Sequence, residues 1–153
     1  MTDPLPAEIG SLLDEHDRLW RRLDFTGLAG LWDRAEGMPI YVGDEYPCPV
    51  IGWQDLERHF GRLGGRLREA DVATRLMAAH GIAEDLALAV VLLEWSFSTV
   101  ESAARLGGQR WVSCLLRRTA VGWRFVHYAE SPAYGIDPEQ LAGGLVIGLA
   151  RDR

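Results

Sequence analysis

The run Gly122–Trp123–Arg124–Phe125–Val126–His127–Tyr128–Ala129–Glu130–Ser131–Pro132 constrains the fold more than any other stretch of the chain. Read with the period of a strand, it places Trp123, Phe125, His127 and Ala129 on one side and Arg124, Val126, Tyr128 and Glu130 on the other. Both sets carry apolar or aromatic members, so neither side of such a strand simply faces water. One face is expected to curve around a cavity and the other to meet a second copy of the chain.

The 153 residues are enough for one domain, 1–153, which at this size buries roughly two thirds of the surface its unfolded chain exposes. Lys+Arg 16 against Asp+Glu 22 leaves a net charge of −6, and the Arg residues are scattered among acids. That balance argues against a nucleic-acid partner, which requires a basic stripe for phosphate contacts. Cys48 and Cys114 have no Cys or His at ligand spacing, so neither a disulfide framework nor a zinc site is expected. His59 and His80 likewise lack ligand partners, and no Gly-rich phosphate loop or nucleophile elbow occurs, so no metal and no cofactor are expected. The segment MTDPLPAEIG has no basic stretch leading into an apolar core, and the apolar run from Ala87 to Leu93 falls far short of the ~20 residues of a membrane helix. A cytoplasmic protein without a membrane partner is the expectation.

Along the chain, Ile9, Leu12, Leu13, His16, Leu19, Trp20 and Leu23 follow the three-or-four spacing of one helix face over residues 7–23. A short second helix holds Leu28, Leu31 and Trp32, with Asp24 or Thr26 as its N-cap, and ends by Gly37. Met38 to Val42 reads as a strand, and the segment 43–49 with its two prolines as a turn. Trp53, Leu56, Phe60 and Leu63 mark a third helix stopped at Gly64–Gly65. Four long strands follow, over 70–82, 87–100, 111–118 and 122–132, with turns at 81–85, Gly107–Gly108 and 119–122. Pro138 to Arg153 reads as a last helix or an extended arm. Helices ahead of an antiparallel meander give an α+β domain whose sheet wraps around the first helix.

This order, with Leu31–Trp32–Asp33, Pro39–Ile40–Tyr41–Val42, Gly52 and the closing Gly122–Trp123–Arg124, Val126–His127–Tyr128 and Ser131, resembles the nuclear transport factor 2-like superfamily and its SnoaL-like branch over nearly the whole chain. The resemblance implies a cone-shaped α+β barrel, with helices packed into a strongly curved antiparallel sheet around a deep pocket, and pairing through the outer sheet face. Relatives include ketosteroid isomerase, dehydratases, epoxide hydrolases and polyketide cyclases, together with non-catalytic assembly modules. His16 falls where ketosteroid isomerase has the Tyr that binds its substrate oxygen, Gly43 where it has its base with Asp44 alongside, and Ser113 where it has a second oxyanion-binding acid. All three differ in kind. Glu130 stands where the kinase association domain carries a basic residue, which disfavours a carboxylate ligand.

In that phase Arg124, Tyr128 and Glu130 face the cavity with Ser113, Glu94 and Ser96, leaving Leu93, Trp95, Phe97, Trp123, Phe125 and His127 for a homodimer interface; the opposite phase is the alternative. The candidate proton-transfer groups are His16, Glu94 and Asp44, with Trp20, Tyr41, Ser96, Ser113, Arg124, Tyr128 and Glu130 as ligand-binding residues. The plain alternatives are a core histidine bonded to backbone, a structural Glu94–Arg124 pair, and solvated loop acids at Asp44 and Glu45. Two functions follow: a pocket for a small, largely apolar molecule with acid/base chemistry of the isomerase, cyclase, dehydratase or hydrolase type, or a non-catalytic dimerisation or assembly module with a filled interior.

Overall fold

The structure, a computed structural model, describes residues 3–133. The reading of 138–153 as a helix or arm lies outside the described residues. Helix α1 runs from Leu5 to Arg21 and buries Ile9, Leu12, Leu13, His16, Asp17 and Leu19. The acid at position 17 joins the buried side because the first strand it meets offers it hydrogen-bond donors. Helix α2, Phe25–Ala29, is capped by Asp24, whose Oδ1 accepts the Gly27 amide at 2.8 Å. Strands β1, Ile40–Val42, and β2, Val50–Ile51, precede helix α3, Trp53–Arg66.

Helix α3 does not stop at Gly64–Gly65 but carries through both. Gly64 lies under the Phe25 ring, where a Cβ would come within 3.3 Å of Cδ2, so the glycine serves helix packing rather than termination. The long strands are β3, Leu67–Ala83, β4, Leu86–Thr99, β5, Ser102–Thr119, and β6, Gly122–Pro132. Gly107–Gly108 is not a turn either, since β5 runs straight through it and the chain reverses at 100–101. A Cβ on Gly107 would lie 2.7 Å from the Trp95 carbonyl oxygen, so close approach to β4 requires glycine there.

The sheet order is β2-β1-β6-β5-β4-β3. The four long strands are antiparallel neighbours, whereas β1 runs parallel to β6 with Tyr41 opposite Tyr128. The architecture is thus the expected α+β cone, with an open, mixed sheet in place of a purely antiparallel one. Register shifts bend it: three interrupt β3 against β4, one lies between Phe97 and Thr99, and one lies in β6. Long strands without such bulges twist but do not curl enough to enclose the α1 face.

The bulge in β6 decides which residues face inward. Leu115 pairs His127 and Leu116 pairs Phe125, so Val126 is the extra residue. Trp123 and Phe125 therefore point to the core before the bulge, and Tyr128 and Glu130 point to the same side after it. On β4 the inward set is Ala87, Ala89, Val91, Leu93, Trp95 and Phe97, and on β5 it is Val112, Cys114 and Leu116.

Candidate functional site

Between the inner sheet face and the helices lies a cavity of about 480 Å³. Its walls are largely aromatic: Trp20 stacks on Phe97 with centroids 5.5 Å apart, Trp95 leans on Phe97 at 4.9 Å, and Phe125 meets Tyr128 edge to face at 5.4 Å. Leu93, Phe60, Trp32 and Leu28 complete the apolar lining. Helical spacing on α1 places His16 and Trp20 one turn apart at this surface, and alternation on β4 places Leu93, Trp95 and Phe97 there.

At one end of the polar lining, the Trp20 indole N–H donates to His16 Nε2 at 3.1 Å. Indole nitrogen can only donate, so Nε2 is the acceptor and the ring proton resides on Nδ1, which donates to Asp17 Oδ1 at 3.0 Å. Asp17 is held in turn by the Thr74 amide at 2.7 Å and the Thr74 hydroxyl at 2.9 Å. His16 therefore lines the cavity as a neutral imidazole with both nitrogens engaged. The sequence reading anticipated its position but not Asp17, whose role shows only once β3 is seen to bring Thr74 beside α1.

The other end gathers Tyr41 from β1, Asp44 and Glu45 from the loop after it, Arg110 from β5 and Glu130 from β6. The parallel pairing of β1 with β6 brings these together. Tyr41 Oη donates to Glu45 Oε1 at 2.7 Å and lies 3.3 Å from Glu130 Oε1. Arg110 Nη2 pairs with Asp44 at 2.8 Å, and its guanidinium carbon lies 5.6 Å from the centroid of the Trp95 ring. A Cβ on Gly43 would meet the Glu45 carboxylate and Tyr41 Oη, so a larger residue there would displace the Glu45 side chain from the cluster.

Burial, followed by the charges of Glu45 and Asp44, pushes the Glu130 carboxyl up to about 7; the Tyr41 hydroxyl and Arg110 oppose the rise only in part. Burial and the neighbouring carboxylates also keep the Tyr41 phenol protonated, as burial does for Tyr128. His59 stacks on Tyr41 at 4.6 Å and shares a 2.9 Å hydrogen bond with the Tyr46 hydroxyl, and burial, then Arg62, pulls it down to about 4, so it is neutral near pH 7. Oxygens of Asp44, Glu45 and Glu130 lie within 4.8 Å of one another, and among the described residues they are the group that could hold a cation. Cys48 is exposed and Cys114 buried, both free, and burial raises the Cys114 thiol to about 12.

The structure thus brings His16, Trp20, Tyr41, Asp44, Tyr128 and Glu130 to one cavity. It does not bring Glu94, Ser96, Ser113 or Arg124 there. Glu94 is exposed and accepts from Gln109 Nε2 at 2.9 Å, Ser96 Oγ accepts from Arg105 at 2.7 Å, Ser113 is exposed, and Arg124 turns away to donate to the Trp123 carbonyl at 2.8 Å. The interface set is corrected for the same reason. Leu93, Trp95, Phe97, Trp123 and Phe125 face inward, because β4 takes the opposite phase and Val126 shifts β6, leaving His127 alone of that set on the outer face. Glu45, His59, Arg110, Trp95 and Phe97 enter the lining instead; for Arg110 the available signal was its alternation with Val112 and Cys114.

Helices closing a curved open sheet over an aromatic cavity define a cone fold. The chain has the nuclear transport factor 2-like fold. It is similar to a ketosteroid isomerase-like protein from Erwinia carotovora atroseptica, at TM-score 0.71 and 16% identity, covering 88% of this chain and 100% of that one. A protein assigned as a dehydratase of the NTF2-like family from Streptomyces avermitilis superposes at TM-score 0.69 and 18% identity, covering 88% and 100%. A protein assigned as a calcium/calmodulin-dependent protein kinase II association domain from Xanthomonas campestris does so at 0.70 and 11%, covering 86% and 94%. No family model and no curated protein matches the sequence. No helix among the described residues is long and apolar enough to cross a membrane.

Proposed function

We propose that the cavity binds a small, largely apolar molecule and that Glu130 exchanges a proton with it, in chemistry of the isomerase or dehydratase type. The observation that carries this reading is a carboxyl held at about 7 on the wall of an aromatic cavity, beside a phenol that stays protonated. Near neutral pH such a carboxyl is available in both forms, as a base that takes a proton and an acid that returns it. Tyr41 steadies the ionised form as a donor, and Glu45 and Asp44 favour the protonated one. His16, fixed by Trp20 and Asp17, presents a neutral ring edge that orients the ligand.

The fold of the isomerase-like and dehydratase-assigned structures supports a pocket function of this kind. The association-domain likeness supports self-assembly, and the outer sheet face fits it: Leu88 opposes Leu115, Leu92 opposes Trp111, and Leu88 and Trp111 remain 39% and 38% exposed. A homodimer through that face is part of the proposal.

The test is a thermal-shift screen of small lactones, epoxides, steroids and other neutral aromatics. A ligand at about 100 times its dissociation constant adds ~2.7 kcal/mol of stability. Any turnover found is expected to fall at least ~100-fold in Glu130→Gln with binding retained. Full turnover in that variant removes the assigned role, and a protein that dimerises but binds nothing in the screen is an assembly module.

A further inference from the structure

The charge of the cavity wall restricts what the cavity accepts. Its ionisable lining consists of Asp44, Glu45 and Glu130 with Arg110 as the cation, while His16 has both ring nitrogens engaged by Trp20 and Asp17, burial keeps His59 neutral near pH 7, and Tyr41 and Tyr128 stay protonated. Arg110 already pairs with Asp44, which leaves Glu45 and Glu130 without a cationic partner in the lining. An anionic ligand would enter against this field, and a neutral one would leave it unbalanced.

Geometry gives the complementary group. Three oxygens no more than 4.8 Å apart share a point that lies within 4.8/√3, about 2.8 Å, of each, which is the length of a charge-assisted N–H···O bond. A primary ammonium carries three N–H donors and fits that point. The aromatic surfaces of Trp95 and Tyr41 flank the same corner, and Arg110 beside Trp95 shows a nitrogen cation already accommodated there. Beyond it, Trp20, Phe97 and Tyr128 offer flat apolar walls to the rest of a ligand.

We infer that the natural ligand is an aromatic or alicyclic amine, its ammonium held by Asp44, Glu45 and Glu130 and its apolar body lying against Trp20, Trp95 and Phe97. This rests on the reading of the cavity as a small-molecule site and names the class that enters it. Because Glu130 is partly protonated near pH 7 and a cation between the carboxylates favours its ionised form, amine binding releases a fraction of a proton.

The experiment compares three probes with one ring system: 2-naphthylmethylamine, 2-naphthylmethanol and 2-naphthoate. Affinity is read by calorimetry at pH 7 in two buffers of different ionisation heat. The amine is expected to bind at least tenfold more tightly than the alcohol, the acid not to bind, and about half a proton to leave with the amine. Asp44→Asn/Glu45→Gln should bring the amine to the alcohol's affinity, Glu130→Gln should abolish proton release, and the exposed control Glu94→Gln should change nothing. Equal binding of amine and alcohol, tighter binding of the acid, or amine preference surviving in the double variant overturns this inference and leaves the cavity reading standing. Displacement of the amine by calcium or magnesium at matched ionic strength also overturns it, by making the acids a metal site. Failure of all three probes removes both readings.

Discussion

Replacing Glu130 with Gln isolates the energetic consequence of holding a carboxyl at about 7 when its ordinary value is 4.5. The folded state keeps the proton where the unfolded chain has lost it, so this group's contribution to stability is fully present below pH 4.5 and disappears as the pH rises through 7. At 1.36 kcal/mol per pH unit the contribution is about 3 kcal/mol at most, and the partial exposure of Glu130 trims it to about 2 kcal/mol. Gln is neutral at every pH and can still accept from Tyr41. The two proteins should therefore unfold within about 0.5 kcal/mol of each other at pH 4, with the variant more stable by about 2 kcal/mol at pH 8.5, or about 4–8 °C in Tm for a chain of this size. Urea denaturation of the ligand-free proteins at half-unit pH steps gives the curve, and taking the difference cancels the titrating groups that do not interact with Glu130. A flat difference, or one that turns in favour of the wild type above pH 7, refutes the reasoning about the acid cluster.

His59 slopes the other way: its proton affinity is depressed from 6.5 to about 4, so the stability of its neutral form is present above 6.5 and lost as pH falls through 4, and His59→Gln should flatten that acid limb of the wild-type curve. Asp17→Ala strands the Thr74 amide and His16 Nδ1 and should cost about 2–3 kcal/mol by urea denaturation, against about 1 kcal/mol for Thr74→Val; a loss under 0.5 kcal/mol would mean water replaces the carboxylate. Trp95→Ala should weaken any cavity ligand at least tenfold, while Glu94→Ala and Ser96→Ala leave both ligand affinity and stability unchanged; the reverse pattern would restore the discarded strand phase. Trp111→Arg should yield a monomer in sedimentation velocity at micromolar concentration, and a dimer that survives it lies elsewhere.

Element order was legible because helix α1 and the long strands carry unambiguous periodicities, and the positions of His16 and Trp20 followed from helical spacing alone. The inward face of the sheet was not legible. On β4 Leu92 and Leu93 are adjacent and equally apolar, and Val90 and Val91 likewise, so alternation offers no preference between phases. On β6 the strict period assumed for 122–132 breaks at Val126, a residue with no local mark of a bulge; the shift is imposed by pairing with Leu115 and Leu116. Glu94 drew interest from its apolar neighbours and proved to lie on the wet side, while Glu130 gains its unusual proton affinity from burial and then from Glu45 and Asp44, some 85 residues earlier, which the parallel contact of β1 brings beside it. Gly64 and Gly107 misled for one reason: small residues mark close approach as often as chain reversal.

The extra residue at 126 makes β6 two half-strands with independent outlooks. Ahead of it, Trp123 and Phe125 form a floor shared with α1; beyond it, Tyr128 and Glu130 line the cavity. Pairing this strand without the bulge, with every residue kept, would turn Tyr128 and Glu130 to the exterior and bring His127 and Ala129 inside, with no change of composition at all. A lineage free to retain the bulge can thus rewrite the residues past it, trading one chemistry for another, while the hydrophobic floor stays as it was.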